Sequence, residues 1–118
     1  MNLSLFKDFD NIVVLDTETT GIDHKTDEII ELAMLRVQNS PEDFKIAEEY
    51  DKFIRLSPGR KLPPEISRLT GISPEMIENE GVSKEEAGKA LFDMFRGVRD
   101  SLPYSTPILH QGRHKLPD

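Results

Sequence analysis

The stretch Ile12-Val13-Val14-Leu15-Asp16-Thr17-Glu18-Thr19-Thr20-Gly21 decides the reading of this chain. Its first four residues are apolar β-formers and predict a buried strand. That strand delivers Asp16 and Glu18 to its end, where Thr19-Thr20-Gly21 turns the chain. Side chains two apart on a strand share a face, so the two carboxylates stand side by side, their Cα atoms roughly 6–7 Å apart by the strand rise. Acids this close at the rim of a buried sheet repel each other unless a cation lies between them. Hard oxygen ligands of this kind suit Mg²⁺ or Mn²⁺. A bare Asp-x-Glu is an ordinary solvated turn; the apolar run before it and the Thr-Thr-Gly after it make this one specific.

Around that stretch, 118 residues bound the chain to one domain at most. With 36% hydrophobic and 31% charged residues it has enough apolar material for a modest core. No apolar run is long enough to span a bilayer, and the start, Met1 to Lys7, lacks the basic and apolar regions of a signal peptide. The absence of cysteine rules out a disulfide framework, thiol catalysis and Cys-bound zinc. A cytoplasmic protein with no membrane partner is the expectation. The net charge of −7 argues against holding duplex through many phosphate contacts, but not against reaching phosphate through bound metal.

Beyond the Gly21 to Asp27 turn, the stretch from Glu28 to Val37 is apolar at nearly every position. It fits a strand buried on both faces and antiparallel to the first, with a helix left open on composition alone. A turn cluster follows at Asn39 to Asp43, then a third strand at about Tyr50 to Leu56, giving an antiparallel meander. Pro63 to Gly71 reads as a short helix with Pro at its start and Gly at its end. Ser73-Pro74 starts another helical turn. Ser83 and Glu86 form a capping box for a third helix, whose Ala87, Ala90, Leu91, Met94, Phe95, Val98 and Leu102 make one apolar stripe facing the core. After Pro103 and Pro107, Ile108-Leu109-His110 begins a fourth strand.

The stretch from Asp16 to Gly21 resembles the first motif of the DEDD-type 3′-5′ exonucleases, the family of the proofreading subunit of bacterial DNA polymerase III. Supporting pattern runs through Glu28 to Leu32, Phe53 to Gly59 and Leu62 to Ile77, so the likeness extends from about Ile12 to Leu109. The fold implied is α/β and ribonuclease-H-like: a three-stranded antiparallel meander, helix and fourth strand, with residues 1–118 forming a single partial exonuclease domain. The implied activity is metal-dependent release of nucleoside 5′-monophosphates from 3′ ends of single-stranded DNA or RNA, with a DNA polymerase as a candidate partner. In such enzymes two ions, roughly 3.5–4 Å apart, clamp the scissile phosphate. By resemblance Asp16 is shared by both ions and Glu18 binds one; both are the catalytic and metal residues. Thr19 holds the terminal 3′-hydroxyl, Gly21 allows close backbone approach, and Ile22 packs on the terminal base. Thr70 joins the substrate-binding set, in a segment where relatives often have His-Gly-Ile and this chain has Thr70-Gly71-Ile72.

The likeness falters later. The family pattern His-Asn-x-x-Phe-Asp is matched best by His110-Gln111-Gly112-Arg113-His114-Lys115, which puts Lys115 where a third catalytic acid is needed. Asp118 comes three residues too late, and the family's general-base histidine and fourth acid have no counterpart. His110 and His114 have helical metal-ligand spacing, but Gly112 and the strand-like residues before it argue against a helix there. The expectation is therefore a truncated or frameshifted exonuclease, inactive as this chain alone. The alternatives are a non-catalytic module that binds nucleic acid or protein, and a nuclease completed by another chain. Glu31, alone in an apolar strand, requires a partner or an exposed strand end, and a structural role is expected of it. Lys7, Arg55, Arg60 and Lys61 are surface cations that could touch phosphate but are expected to be merely solvated, as is His24.

Overall fold

A computed structural model describes residues 7–100 and 108–112, with side chains described as far as residue 96. The Ile12–Leu15 run builds β1 (Asn11–Thr19), which continues through both Asp16 and Glu18 rather than ending before them. The apolar stretch after it is a strand and not a helix, β2 (Ile29–Asn39). It pairs antiparallel with β1 from Asn11↔Gln38 to Thr19↔Ile29, with an irregularity at Glu18/Thr19. The two strands are joined by the polar connection of residues 20–28, longer than an ordinary hairpin loop.

The third strand, β3 (Phe44–Phe53), begins six residues before the expected start and ends three before the expected end. Its interior is mostly exposed and charged, which conceals it from a reading based on apolar periodicity. β3 is held instead by its ladder to β2, including the opposed pair Arg36↔Glu48, whose side chains approach to 2.7 Å. Ile54, expected inside that strand, lies just beyond it and makes a lone parallel bridge to Val82.

Three helices follow: α1 (Pro64–Thr70), α2 (Pro74–Glu80) and α3 (Lys84–Asp100). All three begin where expected. Pro64 opens α1, and Gly71 closes it at φ 78°, the left-handed conformation that glycine adopts without penalty. The Ser73 hydroxyl accepts the Met76 amide at the start of α2, and the Ser83 hydroxyl accepts the Glu86 amide at the start of α3. The chain then crosses to β4 (Ile108–Gly112), which lies parallel to β1, with Val13 opposite Ile108 and Asp16 opposite Gln111. The sheet order β3-β2-β1-β4 places β1 in the interior, paired on both sides.

One face of the sheet carries Val13, Leu32 and Met34, packed with Ile54 against Ala87 and Met94 of α3. The predicted stripe is thus the buried face of that helix as far as Phe95; Val98 and Leu102 lie outside the described side chains. A second cluster joins Ile30 to Leu62, Ile72 and Ile77, seating α1 and α2 at the start of β2. Among the described residues no helix is long and apolar enough to cross a membrane.

Candidate active site

The opposite face of the sheet carries Asp16 and Glu18. Strand alternation puts them on one face, and the register sets Asp16 beside Ala33 and Glu18 beside Glu31. Asp16 faces an open groove of about 400 Å³ floored by Val14, Ala33 and Leu35 and flanked by Glu49 and Asp51. Glu18 is almost wholly buried, at 1% exposure. One oxygen of each carboxylate, Asp16 Oδ1 and Glu18 Oε1, is buried and accepts no hydrogen bond, although both residues make other contacts.

Glu31 is itself buried, so of the two alternatives, a partner or an exposed strand end, the second does not hold; its cross-strand neighbours are Glu18 and Phe53. Like charges opposed across a ladder destabilise it unless other groups offset them, and Glu18 and Glu31 both have further partners in the fold. The donor set, oxygen only and acidic, fits Mg²⁺ or Mn²⁺. Among the described residues no group of three acids or histidines converges closely enough to hold an ion by itself.

The turn after Glu18 divides its two threonines. Thr19 is half-buried, and its hydroxyl donates to the Gly21 carbonyl. Thr20 is buried, and its hydroxyl is a structural hub. It donates to Asp27 Oδ1 at 2.8 Å and accepts from the Glu28 amide at 2.9 Å and from Arg60 at 3.2 Å. Asp27 also accepts the Asp23 amide at 2.8 Å and an Arg60 N–H at 3.1 Å. Arg60 further donates to the Thr26 carbonyl. Arg60 is therefore no solvated surface cation: it bridges the β1–β2 turn to the loop before α1.

Next along the chain, Glu28 accepts from the Ser57 amide and hydroxyl, both at 3.0 Å, and its Oε1 lies 2.6 Å from Lys84 Nζ. Desolvation pushes the Glu28 pKa upward, but hydrogen bonds from Lys84 and Ser57 outweigh it and leave the carboxyl below its usual range. Hydrogen bonds from the Asp23 amide and from Thr20, with the charge of Arg60, also hold Asp27 low. Sequence reasoning missed Thr20, Asp27, Glu28 and Lys84; the one available signal, an Asp-Glu pair just before β2, reads equally well as a polar turn.

Gly21 has a reason beyond substrate approach. A Cβ there would lie 2.5 Å from Asp27 Oδ2, and Asp27 is tethered on several sides. Ile22 is 69% exposed, an apolar side chain held out in water beside the carboxylates' strand end. The Thr70 hydroxyl donates to the Ile66 carbonyl at 2.8 Å and accepts the Ile72 amide at 3.1 Å, closing α1. His24, Lys7, Arg55 and Lys61 are exposed, and His24 sits in the polar turn as expected. His110 and Gln111 belong to β4, a strand and not a metal-binding helix. His114, Lys115 and Asp118 lie outside the described residues.

Residues 13–116 match the sequence profile of the RNase_T family, described as Exonuclease. A PolC-type DNA polymerase III from Thermotoga petrophila is 43% identical over 81 residues, covering 67% of this chain and 6% of that protein. The 3′-5′ exonuclease DinG of Bacillus subtilis is 33% identical over 114 residues, covering 90% of this chain and 12% of that protein. The chain thus spans a small part of these relatives' length. Among solved structures, the nuclease domain of 3′hExo, a DEDDh family member bound to rAMP, superposes with a TM-score of 0.67 at 20% identity, covering 87% of this chain and 52% of that one. The fold is ribonuclease-H-like, and the chain belongs to the RNase_T exonuclease family.

Proposed function

We propose that this chain carries the first half of a metal-dependent 3′-5′ exonuclease site, acting on 3′ ends of single-stranded DNA or RNA. The observation that carries the reading is the placement of Asp16 and buried Glu18 on one face of an interior strand, in a chain of exonuclease family. Asp16 and Glu18 would hold Mg²⁺ or Mn²⁺, two ions in the complete site. When bound, such an ion withdraws charge from a phosphate oxygen and favours loss of a proton from water. Thr19 would hold the terminal 3′-hydroxyl once its hydroxyl turns from the Gly21 carbonyl, and Ile22 would pack on the terminal base. Thr70, at the end of α1, is the remaining substrate contact. The likeness to a PolC-type polymerase supports a polymerase as partner. Residues 1–118 act as one partial exonuclease domain in this reading, in a cytoplasmic protein.

Water-proton relaxation during Mn²⁺ titration tests the site directly. Weak binding is expected of the wild type, because two carboxylates leave most of the coordination shell to water. Asp16→Ala is expected to abolish it; equal binding by both proteins would remove the pair from the metal site. The lack of a three-acid cluster among the described residues favours, as a second reading, a module that binds nucleic acid without cutting it. A 5′-labelled oligonucleotide separates the two. In the exonuclease reading, any 3′ trimming requires metal and is lost in both Asp16→Ala and Glu18→Ala. Strand binding that survives Asp16→Ala would support the second reading.

A further inference from the structure

We propose that Asp27 and Arg60 are positioning residues for the 3′-terminal nucleotide, acting through the turn that presents Thr19, Gly21 and Ile22; this rests on the reading of the site given above. Connections between strands are ordinarily the mobile part of a fold. Here the turn is tied to the scaffold at its far side. Asp27 takes the Thr20 hydroxyl, the Asp23 amide and Arg60, while Arg60 reaches both the Thr26 carbonyl and the Thr20 hydroxyl. Arg60 belongs to the loop before α1, so the contact spans two segments far apart in sequence. It is braced in turn by Glu28, 3.5 Å away, which Lys84 of α3 and Ser57 also hold.

The outcome is a rigid turn with an apolar side chain, Ile22, standing in water beside the acidic pair. An exposed isoleucine held in one place gains nothing for the fold, but it gives a base a fixed surface to stack on. Gly21 completes the device, because its missing Cβ leaves the space that the Asp27 carboxylate occupies. The carboxylates themselves lie on β1: Asp16 is paired on both sides, with Ala33 and Gln111, and Glu18 is paired with Glu31 of β2. Loosening the clamp should therefore affect nucleotide and metal differently.

The test uses the whole chain with Mn²⁺ and the probe dTMP, in wild type, Asp27→Ala, Arg60→Gln and Arg60→Lys. Three quantities are read: amide exchange over residues 21–26, Mn²⁺ affinity by water-proton relaxation, and dTMP affinity in saturating Mn²⁺. Asp27→Ala and Arg60→Gln are expected to speed exchange and weaken dTMP on the order of tenfold, as misplaced contacts do, with Mn²⁺ affinity unchanged. Arg60→Lys, which keeps the charge, is expected to recover part of the loss. Faster exchange with unchanged dTMP affinity would overturn the inference and leave the metal site standing. Parallel loss of Mn²⁺ and dTMP would overturn it too, as a merely structural effect. Failure of the wild type itself to bind dTMP would overturn both this inference and the reading beneath it, and is visible without any variant.

Discussion

Asp27 gathers the turn through the Thr20 hydroxyl, the Asp23 amide and Arg60, and its protonation has a definite sign. Its folded pKa lies below the ordinary carboxylate value, through the Asp23 amide first and then Thr20 and Arg60, and Glu28 is lowered as well. A depressed carboxyl contributes stability that is complete above the unfolded pKa and is lost as pH falls through the folded one. The thermal midpoint should therefore hold above about pH 4, the ordinary carboxylate range, and fall below it. Asp27→Asn should start lower and lose less on acidification, so that the two curves converge in acid. Melts from pH 7 to pH 3 on both proteins check this, and parallel curves would contradict it. The residue scale also marks where sequence reading stopped. Asp16 and Glu18 were legible because strand alternation alone puts them on one face. Thr20 and Arg60 were not, because their bonds join segments whose approach only the folded chain creates.

At the scale of elements, helix starts were legible and the edge strand was not, for one physical reason. A helix start announces itself in local chemistry: Ser73 before Pro74, Ser83 before Glu86. Substituting Ser73→Ala removes the acceptor for the Met76 amide, 3.1 Å away, and should cost about 1 kcal/mol in urea unfolding. A cost near zero would mean that the Met76 sulfur, which accepts the Ser73 amide, keeps the cap closed from its own side. The strand β3 carries no such local mark. Its Lys45, Glu48, Glu49 and Asp51 are exposed, and its existence depends on hydrogen bonds to β2 that no window of its own residues reveals. Charges along such an edge also discourage pairing with other chains. The strand β2 was legible for the converse reason, as an unbroken apolar stretch, but its expected burial on both faces holds only in part: Leu32 and Met34 are buried, while Ala33 and Leu35 are half-buried and floor the open groove.

For the whole molecule, the α3 stripe on the sheet is the main seal of the core face. Met94 is 4% exposed and packs in the cluster of Val13, Leu32 and Met34, directly beneath the strand that bears the acids. Met94→Ala should cost about 2–5 kcal/mol through lost burial and the cavity left behind. In a domain of this size each kilocalorie moves the midpoint by about 4–8 °C. A shift of only a degree or two would mean that α3 is a loose cover. The parallel pairing of β1 with β4 has a consequence of another kind. Val13 and Ile108 are partners with nearly the whole chain between them. During synthesis β1 is followed at once by its partner β2, yet its other flank stays bare until β4 has been made. The strand that bears Asp16 and Glu18 thus waits for one of its two flanks until late in synthesis, and that flank is where a nascent chain would need sheltering.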